Sequence, residues 1–207
     1  MGHMAAPEGV RYEADTVGGI PGWWCLPDGP RGAGAILHLH GGWYSWGTAA
    51  AYRHLVGHIA ARARVPAFVP DYRLAPEHPF PAAAMDVRAC WNELAARGLG
   101  PLAIVGDSAG GGLALALASD LAQERPRCSR RSPACPPLRI HVGDDEGLLD
   151  DSLRYAERAK AQGVDSQVHV WQGLPHGFLS GVGKLTAEDQ ALADIGTFIA
   201  ERLQQAA

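Results

Sequence analysis

The sequence predicts an α/β fold: a mostly parallel sheet with helices on both faces, in a single domain over residues 1–207. Three observations lead there. From residue 34 onward, short apolar runs alternate with longer stretches free of helix breakers, the pattern of strands joined by helical crossovers. Residues 101–118 place Gly106-Asp107-Ser108-Ala109-Gly110 between a short apolar run and an Ala/Leu stretch, which reads as strand, sharp turn, helix. The 207 residues are 47% hydrophobic, enough to bury a sizeable core, and no apolar run approaches the roughly eighteen residues of a membrane span.

Residues 1–8 form a short N-terminal arm, in which Met1-Gly2-His3-Met4 reads as a tag scar. Val10 to Val17 is a strand, and a second is expected at 20–26. Gly34-Ala35-Ile36-Leu37-His38-Leu39-His40 is a buried strand at 34–40, followed by a helix at 49–64 and a strand at 65–70. The prolines of Asp71 to Ala83 fix a surface loop ahead of a helix at 81–97. A strand at 101–106 and a helix at 109–124 flank Ser108. Glu124 to Pro137 carries four Arg, four Pro and two Cys with no apolar periodicity, so 125–137 is an irregular junction loop. Either a basic surface loop or a deletion with a local frame change accounts for it. Strands follow at 138–143 and 166–172. Between them, Asp150 and Asp151 stand at the start of a helix at 151–162, where the macrodipole favours negative charge, and a last helix covers 186–205.

Charge narrows the function classes. A net charge of −4 and a pI near 6.1 speak against nucleic acid or an anionic membrane as partner. Cys25, Cys90, Cys128 and Cys135 fit no C-x-x-C pattern and read as free thiols of a cytoplasmic protein. No phosphate-binding or dinucleotide fingerprint occurs, and no cofactor is expected. His38 and His40 lie two apart on one strand face but lack a third ligand, and His54 and His58 lack the Glu of a zincin and read as surface residues; no metal is expected.

Three signals carry chemistry. A serine on a strained strand-to-helix corner projects its hydroxyl out of the sheet, which makes Ser108 the candidate nucleophile; the alternative is a small-residue turn without chemistry. His40-Gly41-Gly42 resembles the H-G-G loop that supplies backbone amides to an oxyanion hole in lipases and esterases, with Gly41, Gly42 and Ala109 as donors. His176, in Leu174-Pro175-His176-Gly177-Phe178 after the last strand, is the candidate general base, and five carboxylates within residues 144–151 offer its acid partner. Trp43, Tyr44 and Phe178 are candidates for the substrate pocket, although Trp43 and Trp46 could equally cover apolar sheet edges.

Together with the segment Asp71-Tyr72-Arg73-Leu74-Ala75-Pro76-Glu77-His78-Pro79-Phe80-Pro81-Ala82-Ala83, these motifs resemble the hormone-sensitive-lipase family of carboxylesterases, a branch of the α/β-hydrolases. The resemblance covers residues 9–124 and 136–205 and implies a minimal α/β-hydrolase core that hydrolyses short-chain esters through an acyl-enzyme. It assigns the triad acid to Glu146, on the spacing Glu146-Gly147-Leu148-Leu149-Asp150, with Asp145 as runner-up. Ser108 and Glu146 stand only 38 positions apart, so about sixty residues of the family pattern, one strand and most of the cap, are missing between them. The implied partner is a small-molecule ester. A homodimer is expected from the altered sheet, by edge or helix contact or, as the alternative, by domain-swapped exchange of the C-terminal portion. The competing reading is a truncated, catalytically impaired or non-hydrolysing binding variant of the same fold.

Overall fold

A computed structural model describes residues 4–29, 32–124, 136–181 and 183–207. In chain order the elements are β1 (Val10–Val17), β2 (Ile20–Pro27), β3 (Ala35–Leu39), α1 (Ala49–Ala63), β4 (Ala67–Pro70), α2 (Ala82–Ala96), β5 (Leu102–Gly106), α3 (Ala109–Glu124), β6 (Leu138–Asp145), α4 (Leu149–Ala161), β7 (Ser166–Pro175), a 3-10 turn at Phe178–Gly181 and α5 (Thr186–Ala206). By internal contact they fall into two compact units, one of Met1–Ala118 with Leu179–Ala207 and the other of Ser119–Phe178.

The first unit is built on a five-stranded sheet in the order β1-β2-β4-β3-β5. β1 and β2 form an antiparallel hairpin around Gly18 and Gly19, β2 runs antiparallel to β4, and β3 is parallel to both β4 and β5. Gly18 has φ 62°, and a Cβ there would enter the Ala89 backbone of α2, so both the turn and the close packing require glycine. Strand alternation sorts the faces. Cys25 of β2 donates its thiol to Arg53 O on α1, whereas Trp24, the residue before it, donates its indole N–H to Asp15, which is also held by Arg97 just beyond α2. Successive strand residues face opposite ways, so α1 and α2 lie on opposite faces.

The core on the α1 face unites Ile36, Leu55, Val56, Ile59, Ala67 and Val69 with Leu192, Ile199 and Leu203 of α5. Helix α1 starts at Thr48, whose hydroxyl accepts from Ala51 N, and ends at Arg64 in the left-handed region. The loop of residues 71–81 is fixed from below by Asp86, buried on α2, which accepts from Arg73 N at 2.9 Å and pairs with its guanidinium at 2.7 Å.

In the second unit β6 and β7 form a parallel pair with α4 packed on both. Asp150 and Asp151 do occupy the first turn of α4. The pair extends to Asp145 and Pro175, beyond the expected ends at 143 and 172, through an irregularity between Gly143 and Asp145. Gly143 explains it: a Cβ there would enter the Leu174 carbonyl. Facing residues His141 and His169 stack at 4.8 Å, and Trp171 Nε1 donates to His141 Nδ1 at 3.1 Å.

All seven expected strands and five expected helices form. β5 pairs with β3, and β6 with β7. Met1 to His3 and residues 125–135 of the junction, with Cys128 and Cys135, lie outside the described residues. No helix among the described residues is long and apolar enough to cross a membrane.

Candidate active site

Ser108 occupies the corner between β5 and α3 with φ 53°, a left-handed conformation that a non-glycine residue adopts at a cost. Both glycines of the motif have a steric reason. A Cβ on Gly106 would enter the Gly110 carbonyl, and one on Gly110 would enter the Leu39 carbonyl at the end of β3. The turn is closed by Gly110 N and Gly111 N, which donate to Asp107 O and Ser108 O, each at 2.8 Å. Asp107 N donates back to Leu39 O at 3.1 Å, tying the corner to the neighbouring strand. Ala109 is the first residue of α3, so its amide belongs to the helix end whose donors have no intrahelical acceptor.

The His40-Gly41-Gly42 loop leaves β3 beside this corner and is gripped by side chains. Tyr72 Oη donates to His40 O at 2.6 Å, and its ring stacks on the His40 imidazole at 4.2 Å. His40 Nδ1 lies 2.8 Å from Gly41 O, which makes Nδ1 the protonated nitrogen. Burial holds His40 below its usual pKa against the weaker pull of Gly41 O, Asp71 and Asp107. His38, fully buried and next to it in charge terms, is pushed down to about 3 by desolvation and by His40. Tyr52 Oη donates to Asp107 Oδ2 at 3.2 Å, and burial with the Asp107 charge raises its pKa, while the Gly41 amide pulls it the other way.

In the second unit, His176 Nδ1 lies 2.9 Å from Glu146 Oε1. The Glu146 side chain is 6% exposed, and its other oxygen accepts from Gly143 N at 3.1 Å. A carboxylate so held fixes the imidazole ring and the proton on Nδ1, which turns Nε2 into an acceptor. Asp145, by contrast, is exposed at the end of β6, and Asp144 accepts from Gly173 N.

The aromatic candidates separate. Trp43 and Trp46 are 75% and 63% exposed, too open to cover a sheet edge, and Trp43 and Tyr44 both hold positive φ. Phe178 instead is buried against Trp171 at 5.8 Å. His54 and His58, expected as surface residues, are half-buried and lie at hydrogen-bond distance from Met4 O and Ala5 O, holding the N-terminal arm on α1. Sequence reasoning missed Tyr52, Tyr72 and Asp107. Tyr52 carries a signal all the same, since it shares the apolar stripe of α1 with Leu55, Val56 and Ile59 and so brings a hydroxyl into the core.

The pattern of the α/β-hydrolase fold family matches residues 36–130 and 124–180. An acetyl-hydrolase of Streptomyces hygroscopicus is 37% identical over 234 aligned positions, covering 85% of this chain and 77% of the relative. That alignment is longer than the 207 residues of the chain, so the relative carries residues that this chain lacks. An ethyl acetate hydrolase of Pseudomonas putida is 42% identical over 122 residues, 56% of this chain and 36% of that protein, so the chain spans just over a third of that relative. A crystal structure of an esterase from the bacterial hormone-sensitive lipase family superposes with a TM-score of 0.88 at 30% identity, covering 97% of this chain and 87% of that one. The strand-corner serine, the H-G-G loop and these likenesses converge on one assignment: the chain belongs to the α/β-hydrolase fold family, within its hormone-sensitive-lipase branch.

Proposed function

We propose that the protein is a carboxylic ester hydrolase acting on short-chain esters through an acyl-enzyme. The observation that carries this is the short bond from His176 Nδ1 to a buried carboxylate, Glu146, in a chain whose one G-x-S-x-G serine stands at a left-handed corner. In this reading Ser108 Oγ attacks the ester carbonyl while its proton passes to His176 Nε2. Collapse of the tetrahedral intermediate returns that proton to the leaving alcohol, and water then releases the acid by the same route. Glu146 keeps the ring in the useful tautomer. The His40-Gly41-Gly42 loop, through Gly42, and Ala109 offer backbone amides to the developing oxyanion. Trp43 and Tyr44 line the acyl or alcohol side, with Phe178 supporting the histidine loop.

No metal or cofactor enters these steps. The relatives' names, acetyl-hydrolase and ethyl acetate hydrolase, favour small acyl groups. The buried thiols Cys25 and Cys90, both free, favour the cytoplasm. A second reading, a binding protein without turnover, rests on the segment the chain lacks relative to its acetyl-hydrolase relative.

Hydrolysis of p-nitrophenyl acetate and butyrate is the test, with an organophosphonate probe beside it. Turnover that Ser108→Ala abolishes, together with labelling at Ser108, supports the esterase reading. Ser108→Ala turning over like the parent protein refutes it. Labelling without turnover favours the binding protein.

A further inference from the structure

The loop His40-Gly41-Gly42 contains two peptide planes, and both are held at identifiable atoms. A trans peptide points its C=O and its N–H in opposite directions, so a grip on one end aims the other. In the His40–Gly41 plane the carbonyl takes the Tyr72 hydroxyl at 2.6 Å, which turns the Gly41 amide towards the opposite side, and Tyr52 Oη stands so close to Gly41 that a Cβ there would come within 2.8 Å of it. In the Gly41–Gly42 plane the carbonyl takes His40 Nδ1 at 2.8 Å, which turns the Gly42 amide away from the imidazole.

Asp107 decides the direction of the Tyr52 contact. A phenol has one proton to give, and an ionised carboxylate can only accept. Because Tyr52 Oη donates to Asp107 Oδ2, its lone pairs are what it offers to the Gly41 amide. Packing leaves the glycine little freedom: a Cβ on Gly41 would stand 2.7 Å from Asp107 Oδ2 and 2.8 Å from Tyr52 Oη.

We propose that Tyr52, anchored by Asp107, is a positioning residue for ester hydrolysis: it holds the Gly41 amide inward, so that Gly42, with Ala109, supplies the oxyanion donors. This rests on the esterase reading, which assigns the loop its task, although the lock itself is a property of the fold. Gly41 then serves as the pivot that lets the chain pass between two hydroxyl-bearing side chains, and the residue before the nucleophile acquires a role of its own.

The experiment measures two quantities on Tyr52→Phe, Asp107→Ala and Asp107→Asn: amide hydrogen exchange resolved at Gly41, and kcat and KM for p-nitrophenyl acetate. Tyr52→Phe and Asp107→Ala should speed Gly41 exchange about tenfold or more, with β3 amides unchanged. They should lower kcat about 10- to 100-fold with KM within about twofold, since an oxyanion contact acts in the transition state. Asp107→Asn, which still offers Tyr52 a carbonyl oxygen, should restore both to within about threefold of the parent protein. Unchanged Gly41 exchange in Tyr52→Phe overturns the proposal, as does faster exchange with unchanged kcat or a change in KM alone. If the parent protein turns over no ester, the esterase reading fails and the positioning role with it, while Gly41 exchange still decides whether the lock exists.

Discussion

Replacing Glu146 by Gln changes one atom and should disable the proposed base. The reason lies in the two bonds of that carboxylate. Oε2 accepts from Gly143 N, a backbone donor on β6 that cannot move, so the single oxygen of a glutamine amide is drawn to that position. Its NH2 group then faces His176 Nδ1, the atom now 2.9 Å from Oε1. An NH2 group donates, so Nδ1 must become the acceptor and the ring proton moves to Nε2. An imidazole protonated there cannot take a proton from Ser108.

Losing the charge-assisted bond alone removes about 1.5–3 kcal/mol, a factor of roughly 10–150. The wrong tautomer deepens this towards the ~10⁴ seen when a triad carboxylate becomes an amide. We expect kcat for p-nitrophenyl acetate to fall by about 10³–10⁴ with KM nearly unchanged. Asp145→Asn, altering an exposed group at the strand end, should cost less than about threefold. Stopped-flow or steady-state release of p-nitrophenol reads both variants. A greater loss in Asp145→Asn, or a Glu146→Gln enzyme within about threefold of the parent, would refute the assignment of the acid.

Three further outcomes follow from the geometry. His38 stays neutral in the fold down to about pH 3, whereas an ordinary imidazole protonates near 6.5. The unfolded chain therefore binds the extra proton between those values, and stability falls as pH drops below about 6.5, by up to ~1.4 kcal/mol per unit; thermal melts from pH 7 to 4.5 should flatten in His38→Met, and parallel slopes would contradict the origin given. Gly110→Ala drives a methyl into the Leu39 carbonyl and should destabilise by about 1–3 kcal/mol or more, read by urea unfolding; a neutral effect would show that the corner has room to relax. Finally, β5 is an outer strand of the five-stranded ladder, and a homodimer is expected by light scattering at micromolar concentration, which a monodisperse monomer would exclude.

Much of this architecture is legible from local pattern. The nucleophile corner needs glycine at 106 and 110 for reasons of backbone contact, so its sequence signature and its geometry are the same fact. The family resemblance assigns Glu146, with Asp145 as runner-up, to His176, and His176 Nδ1 lies 2.9 Å from Glu146 Oε1. What escaped is non-local. Tyr52 and Asp107 are 55 residues apart, and no periodicity links a helix hydroxyl to a turn carboxylate. Gly173 and Pro175 carry turn signals, yet residues 173–175 continue β7, because Gly143 on the partner strand admits the Leu174 carbonyl. Helix α4 begins at Leu149 rather than 151, since its acids sit inside the first turn instead of capping it. The contact of the Phe178 ring with Trp171 likewise has no signal in the sequence.

The left-handed backbone at Ser108 sets thermal robustness against chemistry. A serine held at φ 53° gives up about 1 kcal/mol relative to a glycine in the same place. Ser108→Gly would therefore make a sturdier and inert protein, and a laboratory selection for heat resistance alone would drift towards it. Only a requirement for turnover would keep a hydroxyl at that corner, so the amino acid recovered at position 108 after such a selection would report whether catalysis had been demanded.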